Sequence, residues 1–459
     1  MKSSSITWDL EQLKRALSAK PEVKGWIITQ ENLRRRERYF MLDDGSFVVD
    51  QDRDVQTQTV WARVFVKSTK AGRQGEITKK LFKALPLNAQ LDSAIASALD
   101  TDHQAWELPK ELPTSRDNLK TADPRIAEDI SGAMEILTGK VANLVGQRRA
   151  TAFSSAELFL SVHNREVHLS NGLVNRSAQS RIYSEAAYSF SRILPSGEVQ
   201  SDEYLNMRWS VNLDDLQVDE LFLSASDRAE HSLEVTKPDS SKYPVIVDAD
   251  VLAELFNGYV AQLSAGNSYH GLPFIKKGDE LIPGARGDLI TLTLDPWLDY
   301  GADTINVSEQ GVTQAPLKLV DDNRVVATAT EKQYSDYLNQ AVTTSRGNIV
   351  INAGTLSHEQ LTASAPKVIE ILQFSGLFAD PNSGTFSSEI RLARLYDNVN
   401  HTIKYLKGGS LSGSIVENFS NARLCKSRVK RAHFASGQIA GHGYFGPSHA
   451  LLNDVSIVG

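Results

Sequence analysis

The N-terminal part of the chain alternates between helical and extended patterns of apolar residues. Leucines at helical spacing predict a helix over residues 8–19, and the same spacing predicts a second helix over residues 88–103, capped by Asn88. Alternating apolar and polar residues between these helices predict strands over residues 23–30, 34–50, 57–68 and 75–82. The pattern therefore indicates a helix–sheet–helix unit, and the proline- and charge-rich residues 108–125 are expected to form a linker.

A second group of elements follows this linker. Residues 127–145 have helical periodicity. Three extended segments come next, at residues 155–172, 181–193 and 203–213. The turn sequence Ser170-Asn171-Gly172 favours antiparallel pairing of these strands, and residues 214–238 are interpreted as helical again.

The remainder of the chain is mostly extended and rich in glycine. It begins with a short apolar strand at residues 243–247 and a helix over residues 250–267, and a further helix is predicted over residues 357–373. The predicted strands lie at residues 288–296, 347–354, 392–399, 402–413 and 451–459. Because strands and helices occur in blocks without a strict strand–helix–strand rhythm, the expected fold class is α+β. We expect the helix–sheet–helix unit to be followed by a mostly antiparallel, glycine-rich β C-terminal domain with a few helices.

Chain length sets the expected domain organisation. A chain of 459 residues is longer than one hydrophobic core usually spans, so two or three structural units are expected. The patterns place an N-terminal α/β unit with its linker at residues 1–125, a central antiparallel unit at residues 126–240 and a β-rich domain at residues 241–459.

Composition narrows the cellular context. The formal net charge of −7 argues against a nucleic-acid binder, which normally carries an excess of basic residues. Cys425 is the single cysteine, so the chain cannot form an internal disulfide and fits a reducing compartment. The N-terminal residues have no apolar stretch of signal-peptide length, and no apolar run of membrane-spanning length follows. The chain is therefore expected to be cytoplasmic, without contact to a membrane.

Strong catalytic motifs are missing from the sequence. It contains no HExxH, Walker A or GxSxG pattern, and a single cysteine cannot form a CxxC pair. His358 and Glu359 begin like a zinc motif, but Ser357 and Gln360 around them form a capping-box pattern, so this segment is interpreted as the start of a helix.

Three of the ten histidines, His433, His442 and His449, lie in the C-terminal tail. Neighbouring imidazoles can bind a metal ion, since each offers a neutral nitrogen. No carboxylate or thiolate stands at ligand spacing within this stretch. A glycine-rich loop with exposed histidines is the preferred interpretation, and a metal site is the alternative.

The predicted helix over residues 250–267 has an unusual face. An apolar stripe accounts for its burial, whereas Asn257, Gly258, Ala261 and Gln262 lie away from that stripe. A glycine within a helix is less favourable than alanine by about 1 kcal/mol, so Gly258 should have a compensating reason. Close approach of another backbone and the geometry of an inherited site are the two hypotheses, and the first is preferred.

A series of segments in the C-terminal part carries a family resemblance through its order and spacing. These segments are residues 243–274, 287–296, 347–361, 375–400, 405–414 and 451–459. Together they resemble the TldD/PmbA family, metallopeptidase-related proteins that are also called modulators of DNA gyrase. The central and N-terminal parts fit this family as well, so the resemblance covers nearly the whole chain.

The resemblance gives the unusual helix a chemical interpretation. In the peptidase branch of the family this helix carries His-Glu-x-x-x-His, and a cysteine near the C-terminus is a further zinc ligand. An ungapped comparison places Asn257 and Gly258 at the first histidine and the glutamate, Gln262 at the second histidine, and His433 at the place of the cysteine. Amides are poor zinc ligands and Gly258 offers no base. The chain therefore resembles the PmbA branch, also called TldE, and is expected to have no catalytic or metal-binding residue of its own.

What the resemblance implies for function is a non-catalytic subunit of a cytoplasmic heteromeric zinc protease, which acts in peptide maturation or antitoxin turnover. Zinc would belong to a TldD-like homologue in a heterodimer or larger assembly, and the chain alone would form a homodimer. Edge strands in glycine-rich sheets suit an extended peptide substrate. Two alternatives stay open: a metallopeptidase with a relocated site built from the C-terminal histidines, and a regulatory protein that binds its partner without proteolysis.

Overall fold

A computed structural model describes residues 8–110, 116, 118–147, 149–434 and 442–459 of the chain. Its helices are α1 (Leu10–Ser18), α2 (Leu87–Leu99), α3 (Pro124–Glu128), α4 (Ile130–Val145), α5 (Val218–Glu230), α6 (Ala249–Gln262), α7 (Ala265–Tyr269), α8 (Lys332–Leu338), α9 (His358–Thr362) and α10 (Ile415–Phe419). Its first nine strands are β1 (Val23–Asp43), β2 (Ser46–Lys67), β3 (Arg73–Leu81), β4 (His103–Gln104), β5 (Ala152–Leu169), β6 (Val174–Ile193), β7 (Val199–Ser210), β8 (Val235–Thr236) and β9 (Ser241–Asp248). The later strands are β10 (Leu292–Asp295), β11 (Leu317–Asp321), β12 (Arg324–Val325), β13 (Asn348–Ile351), β14 (Lys367–Phe374), β15 (Phe378–Asp380), β16 (Thr385–Asp397), β17 (Thr402–Leu406), β18 (Ser410–Ser414), β19 (Arg423–Leu424), β20 (Arg428–His433), β21 (His442–Pro447) and β22 (His449–Val458).

Two sheets contain these strands. Sheet A has the order β12-β11-β10-β13-β21-β20-β7-β6-β5-β1-β2-β3-β4. Sheet B has the order β14-β9-β22-β18-β16-β17-β8, with β15 beside β16 and β19 beside β22. Most neighbours are antiparallel, and the pairs β13–β21, β9–β14 and β8–β17 are parallel. The predicted α+β class with mostly antiparallel sheets is thereby confirmed.

Sheet A draws strands from all three predicted segments of the chain. Strands β1 to β4 precede residue 125, β5 to β7 lie between residues 126 and 240, and the remaining six follow residue 240. The predicted boundaries at residues 125 and 240 stay predictions. Part of the predicted linker, residues 111–115 and 117, lies outside the described residues.

Each group of helices covers one part of the sheets. The pair α1 and α2 packs on β1 to β3, and α4 and α5 pack on β5 to β7. Helix α6 is buried between the two sheets, where Phe256 and Tyr259 join a core that includes Val245 of sheet B and Ile351 of sheet A. The predicted apolar stripe therefore explains why this helix is buried.

Three local predictions were wrong. The helix predicted over residues 357–373 is a five-residue helix, α9, followed by strand β14, because Pro366 disfavours the helical conformation before it and the β-branched residues after it suit a sheet. The helix predicted over residues 250–267 breaks after Gln262, where Ser264 caps α7. Asn88 is the second residue of α2 and not its cap.

Other local predictions hold. The capping box of Ser357 and Gln360 is present at the start of α9, with both reciprocal hydrogen bonds. No helix in the described ranges combines the length and the apolarity that crossing a membrane requires.

Candidate functional site

Helix α6 begins at a strong N-terminal cap. The Oδ1 atom of Asp248 accepts hydrogen bonds from the backbone N–H groups of Asp250 and Val251, each at 3.1 Å. These bonds satisfy donors that the first turn of a helix leaves free. The cap fixes where the helix starts, and so fixes which of its residues face the surrounding loops.

Gln262, at the end of α6, is 1% exposed and uses both ends of its amide. Its Nε2 atom donates to the carbonyl oxygen of Pro381, and its Oε1 atom accepts from the backbone N–H of Phe274 at 2.8 Å. The side chain therefore joins two loops that lie far apart in sequence. The amide therefore has a structural task.

Gly258 lies one turn before Gln262 and is buried. A Cβ atom at this position would lie 3.9 Å from Ile415 Cδ1 and 4.0 Å from Pro381 Cα, which is ordinary van der Waals contact. The nearest main-chain atom therefore leaves room for a methyl group, and the close backbone approach of the preferred hypothesis is absent at Gly258. Steric need does not explain the glycine.

We expect Gly258→Ala to leave the fold intact and to stabilise it by up to about 1 kcal/mol, because alanine has the higher helix propensity. Urea unfolding of both proteins measures the difference. Gly287→Ala is the contrasting variant, since its Cβ atom would lie 2.1 Å from the carbonyl oxygen of Ala422. A loss of stability at Gly258 as large as at Gly287 would contradict this prediction.

A small cleft of about 70 Å³ lies beside α6. Glu254, Asn257 and Gly258 form its helical wall, and Asp380 and Pro381 lie opposite. The cleft adjoins a larger open groove of about 800 Å³, with which it shares Ala379, Asp380, Pro381 and Thr385. Asn257 and Gly258 thus line this cleft, whereas the buried Gln262 does not.

These residues do not fit a zinc ion. Zinc needs imidazole, thiolate or carboxylate ligands at about 2.0–2.3 Å. Gly258 has no side chain, the amide of Gln262 is committed to two backbone groups, and no imidazole or thiolate lines the described part of the cleft.

His433 lies against the first turn of α6. Its Nε2 atom is 3.4 Å from Asp250 Oδ1, and Arg431 Nε is 3.5 Å from the other oxygen of the same carboxylate. Burial lowers the pKa of His433, but the attraction of Asp250 outweighs it, so the pKa is raised overall. The imidazole is thus part of an ion pair. Most of the segment after it, residues 435–441, lies outside the described residues.

The three C-terminal histidines do not come together. His433 and His442 are paired residues of β20 and β21, and His442 is exposed. His449 begins β22, where its ring lies 4.5 Å from the ring of His358, measured between centroids. The alternative of a relocated metal site required these three histidines to lie together. In the structure His433 and His442 are neighbours, and His449 lies elsewhere, beside His358.

His449 belongs to a cluster that the sequence analysis missed. We call His358, Glu370 and His449 the His-Glu-His cluster. His358 Nε2 lies 2.8 Å from Glu370 Oε1, and the hydroxyl of Tyr396 donates to Glu370 Oε2 at 2.7 Å. Among the described residues this is the one group of three such side chains whose ligand atoms all lie within 4.8 Å of one another. The spacing of residues in the sequence does not predict this cluster, because its members come from α9, β14 and β22.

Acidification is expected to destabilise the folded chain through His449. Burial and the neighbouring His358 lower the pKa of His449 to about 4. Since the ordinary value is near 6.5, the unfolded chain takes up a proton between pH 6.5 and pH 4 that the folded chain does not. The resulting decrease in the free energy of unfolding is absent above pH 6.5 and grows to at most about 3 kcal/mol at pH 4.

Urea unfolding of chelator-treated wild type and His449→Gln over this pH interval measures the effect. As the pH falls from 6.5 to 4, the free energy of unfolding should decrease more in wild type than in His449→Gln, because glutamine does not titrate. His442→Gln, which removes an exposed histidine outside the cluster, is the matched control. A difference that stays constant from pH 6.5 to pH 4 would rule out this contribution.

Comparison with known proteins gives a family match for the segment that contains α6 and its cleft. The sequence of residues 240–459 matches the model of the PmbA/TldA metallopeptidase C-terminal domain. We call this segment the TldD/PmbA domain, after the family that it resembles. The predicted family resemblance is confirmed, and α6 with its cleft lies within the TldD/PmbA domain. Comparison with curated proteins gave no significant match.

Solved structures extend the likeness beyond the TldD/PmbA domain to nearly the whole chain. TldE from Thermococcus kodakarensis has a TM-score of 0.73 at 16% identity and covers 98% of this chain and 100% of its own. A protein from Bacteroides thetaiotaomicron described as a modulator of DNA gyrase has a TM-score of 0.73 at 15% identity, with 98% and 99% covered. A protein from Thermotoga maritima with the same description has a TM-score of 0.71 at 16% identity, with 95% and 96% covered. At these identities the matches establish a shared fold.

Proposed function

We propose that this chain is a non-catalytic subunit of a cytoplasmic, heteromeric zinc protease of the TldD type, which acts on peptides in maturation or antitoxin turnover. The observation that carries the proposal is the set of side chains on α6. At the positions for ligands and base it has Asn257, Gly258 and a Gln262 whose amide is committed to Pro381 and Phe274. The fold shared with TldE agrees with this assignment.

The larger open groove, which includes strand β15, suits an extended peptide. Strand β15, Phe378–Asp380, pairs with β16 along one edge, and no described strand pairs with its other edge. A free strand edge can accept a peptide by backbone hydrogen bonds, which tolerate many sequences. Phe378 is 76% exposed at this edge and offers an apolar contact to a bound side chain.

Charges along the groove favour one kind of peptide. Asp380, Glu417 and Asp454 line it together with a single basic residue, Lys242. Hydrogen bonds from Ser383 and from the backbone of Asn382 lower the pKa of Asp380, so this carboxylate is ionised at neutral pH. An acidic groove attracts basic side chains. We therefore expect substrates with lysine or arginine near the segment that lies in the groove.

In the proposed assembly the zinc-bearing homologue supplies the His-Glu-x-x-x-His helix, and this chain supplies a second wall with the peptide groove. Without the homologue the chain is expected to form a homodimer. The division of tasks explains how a domain of a metallopeptidase family retains its fold while its ligand positions serve packing.

Co-expression of this chain with a homologue that bears His-Glu-x-x-x-His tests the proposal. We expect the two chains to co-purify and to cleave peptides that neither cleaves alone. Replacing the glutamate of the homologue by glutamine should abolish cleavage but preserve the complex. If the chains separate and the homologue is fully active alone, the proposal is wrong. A stable complex without any gain in cleavage would favour a regulatory protein without proteolysis.

A further inference from the structure

The His-Glu-His cluster lies on the face of sheet B opposite α6. On β14, Ile369 and Ile371 belong to the core around α6, and alternate residues of a strand point to opposite faces, so Glu370 points away from that core. On β22, His449 shares a face with Leu451, which packs in a separate small core under α9. The thickness of the sheet therefore separates the cluster from the family's zinc positions.

We propose that the His-Glu-His cluster binds one divalent transition-metal ion of the Zn²⁺ type. His358 Nε2, Glu370 Oε1 and one ring nitrogen of His449 would be the protein ligands. All three atoms lie within 4.8 Å of one another, and the first two are 2.8 Å apart. Ligand atoms of a tetrahedral zinc ion are about 3.3 Å apart, given metal–ligand distances of about 2.0–2.1 Å.

His358 Nε2 and Glu370 Oε1 are hydrogen-bonded to each other, and an ion would replace that bond, whereas the neighbouring hydroxyl groups contact other atoms of the cluster. The hydroxyl of Tyr396 occupies Glu370 Oε2, which leaves Oε1 for the ion. The hydroxyl of Ser448 lies 3.1 Å from Nδ1 of His449, so Nε2 is the nitrogen available to the ion. Ser448 is held in turn by Ser427 at 2.5 Å. Such outer hydrogen bonds orient ligands at metal sites and make them more basic.

The neighbouring guanidinium does not occupy the site. Arg394 Nη1 lies 3.8 Å from Glu370 Oε2, the oxygen that Tyr396 also contacts. Its Nη2 atom is paired with Asp227 at 2.7 Å. The carboxylate of Glu370 thus stays available as an anionic ligand.

Ligand type and exposure select the kind of ion. Two imidazoles and one carboxylate suit zinc and similar transition metals, whereas magnesium and calcium prefer oxygen ligands alone. The side chain of Glu370 is 7% exposed and that of His358 is 30% exposed, so an ion enters from the side of His358. Three protein ligands leave a fourth position for water or for a group from another molecule.

Metal titration of the purified full-length chain tests the proposal. After chelator treatment, Zn²⁺ is titrated by calorimetry and Co²⁺ by absorption spectroscopy. We expect one ion per chain and visible Co²⁺ bands of a low-coordinate site. No binding of Zn²⁺ at stoichiometric level would overturn the proposal. The experiment needs neither the homologue nor a peptide, so its failure would leave the proposed protease function untouched.

Variants locate the ion. His358→Gln, Glu370→Gln and His449→Gln should each weaken binding by about 100-fold or more, since each removes one of three ligands. Tyr396→Phe keeps all ligands and should weaken binding by about 10-fold to 100-fold. Circular dichroism of the metal-free variants checks that each has folded, and glutamine preserves polar character at all three positions.

Matched controls separate this site from the C-terminal tail. His433→Gln and His442→Gln change histidines outside the cluster and should leave affinity and Co²⁺ bands unchanged. Loss of binding in these controls, together with retention in His358→Gln and Glu370→Gln, would place the ion elsewhere and overturn the proposal. Binding of an ion in this chain would also correct the expectation that zinc belongs to the partner subunit alone.

Discussion

Replacement of Gln262 by methionine is expected to destabilise the chain by about 2–4 kcal/mol. The substitution keeps the length of the side chain but leaves the carbonyl oxygen of Pro381 and the N–H of Phe274 without their partner. An unsatisfied buried group is unfavourable by about 1–3 kcal/mol, and these two backbone groups are partly buried. Urea unfolding monitored by circular dichroism measures the loss.

Two further variants sharpen this test. Gln56→Met changes an exposed glutamine of β2 and should stay within about 0.5 kcal/mol of wild type. Gln262→His introduces the residue type that the family resemblance would place here, yet we expect it to be destabilising too, because an imidazole cannot repeat both bonds of the amide. A stable, fully folded Gln262→His protein would show that the amide is not a structural cross-link.

Phe378→Ser is expected to lower kcat/KM of the reconstituted protease by about tenfold, which corresponds to the loss of roughly 1.4 kcal/mol of apolar contact with the peptide. This prediction rests on the proposed function. Because Phe378 is 76% exposed in the chain alone, its removal should not change stability. Peptidase assays on complexes of equal purity, together with thermal unfolding of the free chain, measure both quantities.

Ile193→Ser is the matched control for Phe378. Ile193 is also 76% exposed, but it lies at the end of β6 in sheet A and does not line the groove. Its removal should leave kcat/KM unchanged. Equal losses in the two variants, or none in either, would argue against the groove as the place where the peptide lies.

Sequence patterns predicted the fold well where one physical signal dominated. The antiparallel ribbon of β5 and β6 follows from strict alternation and the turn at residues 170–172, and pairing runs from Ala152 to His168. The error at residues 357–373 arose where two signals met. A capping box started a helix, whereas Pro366 and the β-branched residues after it favoured a strand that sheet B could accommodate.

The candidate site was only partly predictable. The family resemblance pointed to the helix and to Asn257, Gly258 and Gln262. The task of Gln262 was not visible, because its partners are 12 and 119 residues away. The His-Glu-His cluster was hidden for the same reason: it depends on the register of β14 and β22, which no local pattern reveals.

The place of β20 and β21 in sheet A has a consequence for how the chain folds during synthesis. These strands lie between β7 and β13, yet the ribosome delivers them after almost everything else. Until they emerge, β7 and β13 each present an open edge, and open edges promote aggregation. Such distant pairings also slow folding, since a long loop must close before any contact forms. Nascent chains shorter than about residue 447 should therefore depend on chaperones, and completion of sheet A should be a late step of folding.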